Sequence, residues 1–183
     1  QDIMYASVTS GIGKEEGTQT HPEFGFRHLL ARVQFKLVQG TGFGGGINVT
    51  EISLTALNTR ASLDLVTGAL TWTHQGGVAH GDKLTLTGTF PIKPLAEAAV
   101  IEPCLMAPPG FAGGTGETVN LSVKAGGIEY PAVTWGLPGE LQHGQVAGKS
   151  YLVTLTFEGT TIKPAVQVTP WEESGYAPTH TLK

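Results

Sequence analysis

Three tryptophans, Trp72, Trp135 and Trp171, are the side chains best suited to holding a ligand, because an exposed indole can stack on a sugar ring. They are the candidate sugar-stacking residues. The competing assignment for each is packing in a core or along a sheet edge, where a large ring buries much apolar area. Among the six histidines, His74 and His80 lie with Asp82 around one turn and come nearest to a metal trio. No H-E-x-x-H or acidic calcium-loop pattern accompanies them, so they read as solvated turn residues and no metal is assigned. The one cysteine, Cys104, lies between Pro103 and Leu105 and is expected to be a buried, inert thiol. No G-x-S-x-G elbow is present. Asp64, Asp82, Glu97, Glu102 and Glu129 are isolated beside turns or on polar strand faces, whereas a glycosidase needs two carboxylates about 5–10 Å apart. These residues predict no enzyme and no cofactor.

Two glycine-rich stretches imitate phosphate loops. Gly40-Thr-Gly42-Phe-Gly-Gly-Gly46 follows a strand, but Ile47–Leu54 reads as another strand, not the helix that a dinucleotide fold requires. It is expected to be a hairpin loop. Gly144-Gln-Val-Ala-Gly148-Lys149-Ser150 is one residue short of a P-loop between its glycines and runs into a strand at Tyr151–Phe157.

The elements that would position these residues are strands. Leu29, Ala31, Val33, Phe35 and Leu37 share one face while His28, Arg32, Gln34 and Lys36 share the other, the period of a half-buried strand. Tyr151, Val153, Leu155 and Phe157 alternate with threonines and Glu158, and Leu84, Leu86 and Phe90 alternate with Lys83, Thr85, Thr87 and Thr89. Further strands are expected at Ile52–Leu57, Ser62–Leu65, Ala69–Thr73, Val119–Lys124, Glu129–Trp135 and Ile162–Val168. Turn residues separate them at Gly40–Gly46, Asn58–Thr59, Gly76–Gly77, Pro108–Gly116, Gly126–Gly127, Pro138–Gly139 and Gly159. Residues 7–23 and the tail Glu172–Lys183 lack an apolar period and read as irregular. The expected fold is an all-β, antiparallel sandwich of about seven to nine strands. It occupies residues 1–183 as a single domain, with Pro108–Gly116 the best boundary were there two lobes.

Composition agrees. Hydrophobic residues make up 40% and charged residues 14% of the 183, with 26 Gly and 11 Pro, enough to build a core and too turn-rich for a helical bundle. A formal charge of −4 offers no basic surface for nucleic acid, and the scattered cations do not favour an anionic membrane. One cysteine cannot make an internal disulfide. No apolar run approaches the ~20 residues of a spanning helix and no signal peptide is visible, so the chain, opening on Gln1, is expected to be soluble and already trimmed.

The order of landmarks resembles the fimbrillin-like family, the bacterial (type V) pilus subunits and related surface proteins of Gram-negative bacteria. They are Gln1-Asp2-Ile3-Met4-Tyr5-Ala6, Phe26-Arg-His28-Leu29-Leu-Ala31-Arg-Val33-Gln-Phe35-Lys-Leu37, Val49-Thr-Glu-Ile52-Ser-Leu54 and Leu63-Asp-Leu65-Val-Thr67-Gly68. Leu105-Met106-Ala-Pro108, Gly148-Lys149-Ser-Tyr151-Leu-Val153-Thr-Leu155, Ile162 and Val168-Thr-Pro-Trp171 complete the series. The resemblance implies a transthyretin-like sandwich that is the C-terminal domain of a longer precursor, its N-terminal domain absent here. It also implies export to the cell surface, outer-membrane-associated or fimbrial, from a lipoprotein precursor. Assembly would proceed by strand exchange or edge pairing, the partners being other pilin-like subunits or the missing N-terminal domain, with a host or bacterial surface glycan or protein as adhesive target. An extended segment can satisfy the unpaired backbone groups of an open sheet edge. Neither Thr179–Lys183, short and polar, nor Asp2–Val8, partly alternating, makes a strong donor. The alternative reading is a carbohydrate-binding β-sandwich module of an outer-surface glycan system, with a glycan hydrolase behind it.

Overall fold

The computed structural model describes residues 2–8, 24–57, 59–72, 82–107, 119–135 and 147–171. They form twelve strands and no helix: β1 Met4–Val8, β2 Phe24–His28, β3 Ala31–Gln39, β4 Asn48–Leu57, β5 Ala61–Leu63, β6 Leu70–Trp72, β7 Asp82–Pro91, β8 Val100–Ala107, β9 Val119–Ala125, β10 Ile128–Trp135, β11 Lys149–Glu158 and β12 Thr161–Pro170. Eight of these make two four-stranded sheets, ordered β12-β11-β3-β8 and β10-β9-β4-β7, and the other four make the two-stranded pairs β1-β2 and β5-β6.

Alternation builds the core. In β3, Ala31, Val33, Phe35 and Leu37 point inward and are essentially inaccessible, as are Tyr151, Val153, Leu155 and Phe157 of β11. They meet Val49, Ile52 and Leu54 of β4, Leu121, Val123 and Ala125 of β9, and Leu86 and Phe90 of β7. Tyr130 closes the core edge-on to Phe157, the ring centroids 5.6 Å apart, and burial pushes its phenol pKa up.

One central pair is parallel. β11 runs alongside β3 in the register Tyr151↔Val33, Val153↔Phe35 and Leu155↔Leu37, while the other strand pairs among the described residues are antiparallel and an isolated bridge, Val38↔Lys93, is parallel. A parallel pair needs a long crossover. Here that crossover runs from β4 to β10 and contains the whole second sheet as well as β8, which returns to the first.

The glycine-rich stretch Gly40–Gly46 is accordingly not a hairpin loop. It is the corner that carries the chain from β3 in one sheet to β4 in the other, because β3 has β11 and β8 as its neighbours. Gly40 passes so close to β11 that a Cβ there would lie 2.8 Å from the Phe157 carbonyl oxygen, to which its own N–H donates at 2.9 Å. The second imitation ends as expected in a turn and strand, Gly148 preceding β11.

β8 was not foreshadowed by alternation. Between Val33↔Leu105 and Phe35↔Ile101 three of its residues, Glu102 to Cys104, oppose one of β3, and this bulge hides the period. It also leaves Cys104 half-buried, not fully enclosed as expected. β5 ends at Leu63, short of the expected Leu65, because Asp64 starts a turn in which its carboxylate accepts from the N–H of Val66 at 2.8 Å and of Thr67 at 3.3 Å. Leu65 is therefore exposed. Part of the segment expected to be irregular is strand, since β1 reaches Val8 and pairs with β2. Gly76–Gly77, Pro108–Gly116, Pro138–Gly139, Thr179–Lys183 and the tail from Glu172 lie outside the described residues.

Candidate functional site

Four chain segments meet at the end of the sandwich where β3 and β11 begin. The Leu29 N–H donates to Ile3 O at 2.9 Å, Gly148 to Leu30 O at 3.0 Å, and Trp171 to Gly148 O at 3.0 Å. These backbone bonds tie β1, the β2–β3 link, the turn before β11 and the end of β12 into one frame.

Side chains complete it. His28 Nδ1 lies 2.7 Å from Asp2 Oδ2, and the His28 ring stacks on Trp171 with centroids 3.7 Å apart and planes 7° from parallel. The Arg32 guanidinium carbon is 5.1 Å from the Trp171 centroid. Arg32 Nε donates to Ser150 Oγ at 3.0 Å, and that buried hydroxyl donates on to Gln34 Oε1 at 3.2 Å.

A second arm reaches the β5–β6 turn. The Tyr5 hydroxyl donates to Val66 O at 2.8 Å, its ring lies against Gly68, and the Arg27 guanidinium sits 5.4 Å from the ring centroid. Hydrogen bonds from the Val66 N–H, the Thr67 side chain and the Thr67 N–H hold the Asp64 carboxyl below the usual carboxylate range and fix this turn. Between the arms opens a cleft of about 540 Å³, bordered by Arg27, His28, Gly68, Leu70, Gly148 and Trp171.

Of the three tryptophans, Trp171 stands at this junction with His28 as its stacking partner. The backbone of Trp72 is in β6 opposite Ala61, and that of Trp135 in β10 opposite Val119. Trp72 thus belongs to the β5-β6 pair and Trp135 to the β10-β9-β4-β7 sheet, while Trp171 directly follows β12. His74 and His80 fall outside the described residues; Asp82 accepts from the Thr59 N–H at 3.0 Å and hydroxyl at 2.8 Å. Among the described residues no group of His, Cys, Asp and Glu is arranged to hold a metal.

The remaining site candidates are the sheet edges, where backbone groups lack a neighbouring strand. Among the described residues the two four-stranded sheets end on β12, β8, β10 and β7. β12 carries Pro164, β8 carries Pro103 within its bulge, and β10 carries Pro131 within an irregularity between Tyr130 and Val133. Proline cannot donate to a ladder, so all three are blunted. β7 has no interior proline. On the outer face beside it, Glu51 lies 2.9 Å from Lys83 Nζ and 3.3 Å from Lys124 Nζ and accepts from Ser53, which lowers its pKa to about 2.

Comparison with known proteins places this architecture. The fimbrillin-like family model matches residues 1–171. The chain belongs to the fimbrillin-like family. Among solved structures, a proposed cell adhesion protein of Bacteroides ovatus ATCC 8483 is 18% identical with a TM-score of 0.60, over 93% of this chain and 61% of its own. A proposed cell adhesion protein of Bacteroides uniformis ATCC 8492 is 20% identical with a TM-score of 0.49, over 81% of this chain and 53% of its own. The tip fimbrial protein Mfa3 of Porphyromonas gingivalis, truncated at its C-terminus, is 12% identical with a TM-score of 0.39, over 80% and 52%. At such identities the likeness concerns fold alone, and this fimbrillin-like chain spans only 53–61% of these proteins' lengths when the two Bacteroides structures are taken. No curated protein matches it in sequence.

The junction residues Asp2, Tyr5, His28, Arg32 and Ser150 were not singled out as a site by residue type. All five fall within the landmark segments that resemble the family, and Arg32 and Ser150 occupy polar positions of well-patterned strands.

Proposed function

We propose that this chain is a structural or adhesive component of a surface fimbria, exported to the cell surface and joining other subunits through its sheet edges. The family match over residues 1–171 carries the reading. Among the described residues the two four-stranded sheets end on four strands, one of them free of interior proline, and this supports it, since an open edge can accept an extended segment of a neighbour. In this reading the chain is one domain of a longer, outer-membrane-associated protein and sits beside an N-terminal domain. That agrees with its spanning 53–61% of the two Bacteroides structures. No catalytic step is assigned. Asp64 Oδ1 and Asp82 Oδ2 accept hydrogen bonds at turns, and Glu51 pairs with two lysines.

β1 is an unfavourable donor as it stands. Its exchange would break the Asp2–His28 contact, the Leu29-to-Ile3 bond and the Tyr5-to-Val66 bond together. Assembly is tested by expressing the full-length precursor and following the purified protein through protease treatment and addition of strand peptides. Polymers that depend on either treatment are expected. A protein that stays monomeric under every condition would contradict an assembly role.

A further inference from the structure

The four edges differ in how they are guarded. Natural sheets blunt edges with proline, bulges and charge. β12, β8 and β10 each carry an interior proline, and the last two an irregularity as well. β7 keeps four consecutive regular pairs with β4, from Leu84↔Leu54 to Thr87↔Glu51, before its bulge at Gly88 and Thr89. Its outer row, Lys83, Thr85 and Thr87, is exposed, and among the described residues no strand lies beyond it.

We propose that β7 pairs antiparallel with β7 of a second copy of this chain, extending the β10-β9-β4-β7 sheet across a two-fold axis at Leu86. The strand is complementary to itself in this register. Thr85 faces Thr87 on the outer row, Leu86 faces Leu86 on the inner, and Lys83, already held by Glu51, faces Thr89. No like charges oppose, and cross-strand threonine pairs are favourable. β8, the edge strand of the other sheet, comes into contact with β7; its first residue Val100 is partly exposed, and Leu95 in the connection between them is exposed. So short an edge makes a weak contact that multivalency along a filament would strengthen.

The proposal rests on the assembly reading above, and its test is separable from it. In the full chain with Cys104→Ala, Thr85→Cys and Thr87→Cys proteins are oxidised singly and as a mixture. Opposed Cα atoms in an antiparallel pair lie within disulfide reach. The mixture should give disulfide-linked dimers and either protein alone should stay monomeric. A separate Thr85→Lys/Thr87→Lys double variant should weaken self-association in sedimentation equilibrium by about tenfold, with its melting curve unchanged, through two opposed like-charge pairs. Cross-linking in none of the samples, or equally in all three, or in Thr85→Cys alone, overturns the proposal. If a protein that fails this test still enters fimbriae, the β7 pairing falls and the assembly reading stands; exclusion from fimbriae sinks the assembly reading whatever the cross-link shows.

Discussion

Replacing Gly40 by alanine should damage the fold far more than the same change four residues along the same corner. A Cβ at Gly40 would lie 2.8 Å from the Phe157 carbonyl oxygen, 2.8 Å from Glu158 Cγ and 2.9 Å from Thr156 Cγ2. Ordinary contacts begin near 3.5 Å, so the corner and the end of β11 must part by about 0.5 Å or more. Overpacking of this kind costs about 1–3 kcal/mol, and weakening the Gly40-to-Phe157 hydrogen bond adds about 0.5–1.5 kcal/mol. The stiffer unfolded chain returns about 0.4–1 kcal/mol. The net loss falls between about 0.5 and 4 kcal/mol, centred at about 2, a fall in Tm of about 4–8 °C at that centre for a chain of this size. At Gly44 a Cβ meets nothing within 4 Å, so Gly44→Ala should leave stability unchanged or raise it by about 0.4–1 kcal/mol. Urea unfolding and thermal melts of both variants measure this. A Gly40→Ala protein within about 0.5 kcal/mol of wild type, or equal damage at Gly44, would refute the close approach of the corner to β11.

Three further outcomes follow from the geometry. Phe35→Ala, at an inaccessible position of β3, should cost about 3–5 kcal/mol and lower the urea midpoint at constant slope; a loss under about 1 kcal/mol would contradict its central burial. Tyr5→Phe removes the hydrogen bond to Val66 O and should cost about 0.5–1.5 kcal/mol, with faster amide exchange in β1 and little change in β3, whereas uniform exchange would argue against a local latch. The Glu51 pKa is depressed from 4.5 to about 2, so its contribution is present above the unfolded value and lost as pH falls from about 4.5 through about 2. Glu51→Gln should flatten the pH dependence of stability in that window and make it less sensitive to salt; an unchanged profile would show that the two lysines do not hold the carboxylate.

Alternation made most of the sandwich legible. β3, β7 and β11 were readable because their inward residues recur at every second position, and tight turns such as Gly126–Gly127 marked where β9 gives way to β10. Three things were not. The bulge in β8 inserts Glu102 to Cys104 opposite a single residue of β3, and a pattern of period 2 does not survive that. Direction is invisible in a strand's own sequence, so nothing in Tyr151–Phe157 announced that it pairs parallel with β3. The corner at Gly40–Gly46 looks locally like any hairpin; which sheet receives β4 is decided by the neighbours of β3, residues more than fifty positions away. The junction around Trp171 was hidden for the same reason, since Asp2, His28, Arg32 and Ser150 come from four segments and only tertiary structure brings them together.

The most direct measurement is immunogold electron microscopy of cells producing the full-length protein, using antibodies against this chain. Gold spaced along or at the ends of surface filaments, absent from cells lacking the gene, is the result expected of a fimbrial component. Label confined to the cell interior, or filaments of normal number and length that carry no gold, would contradict it.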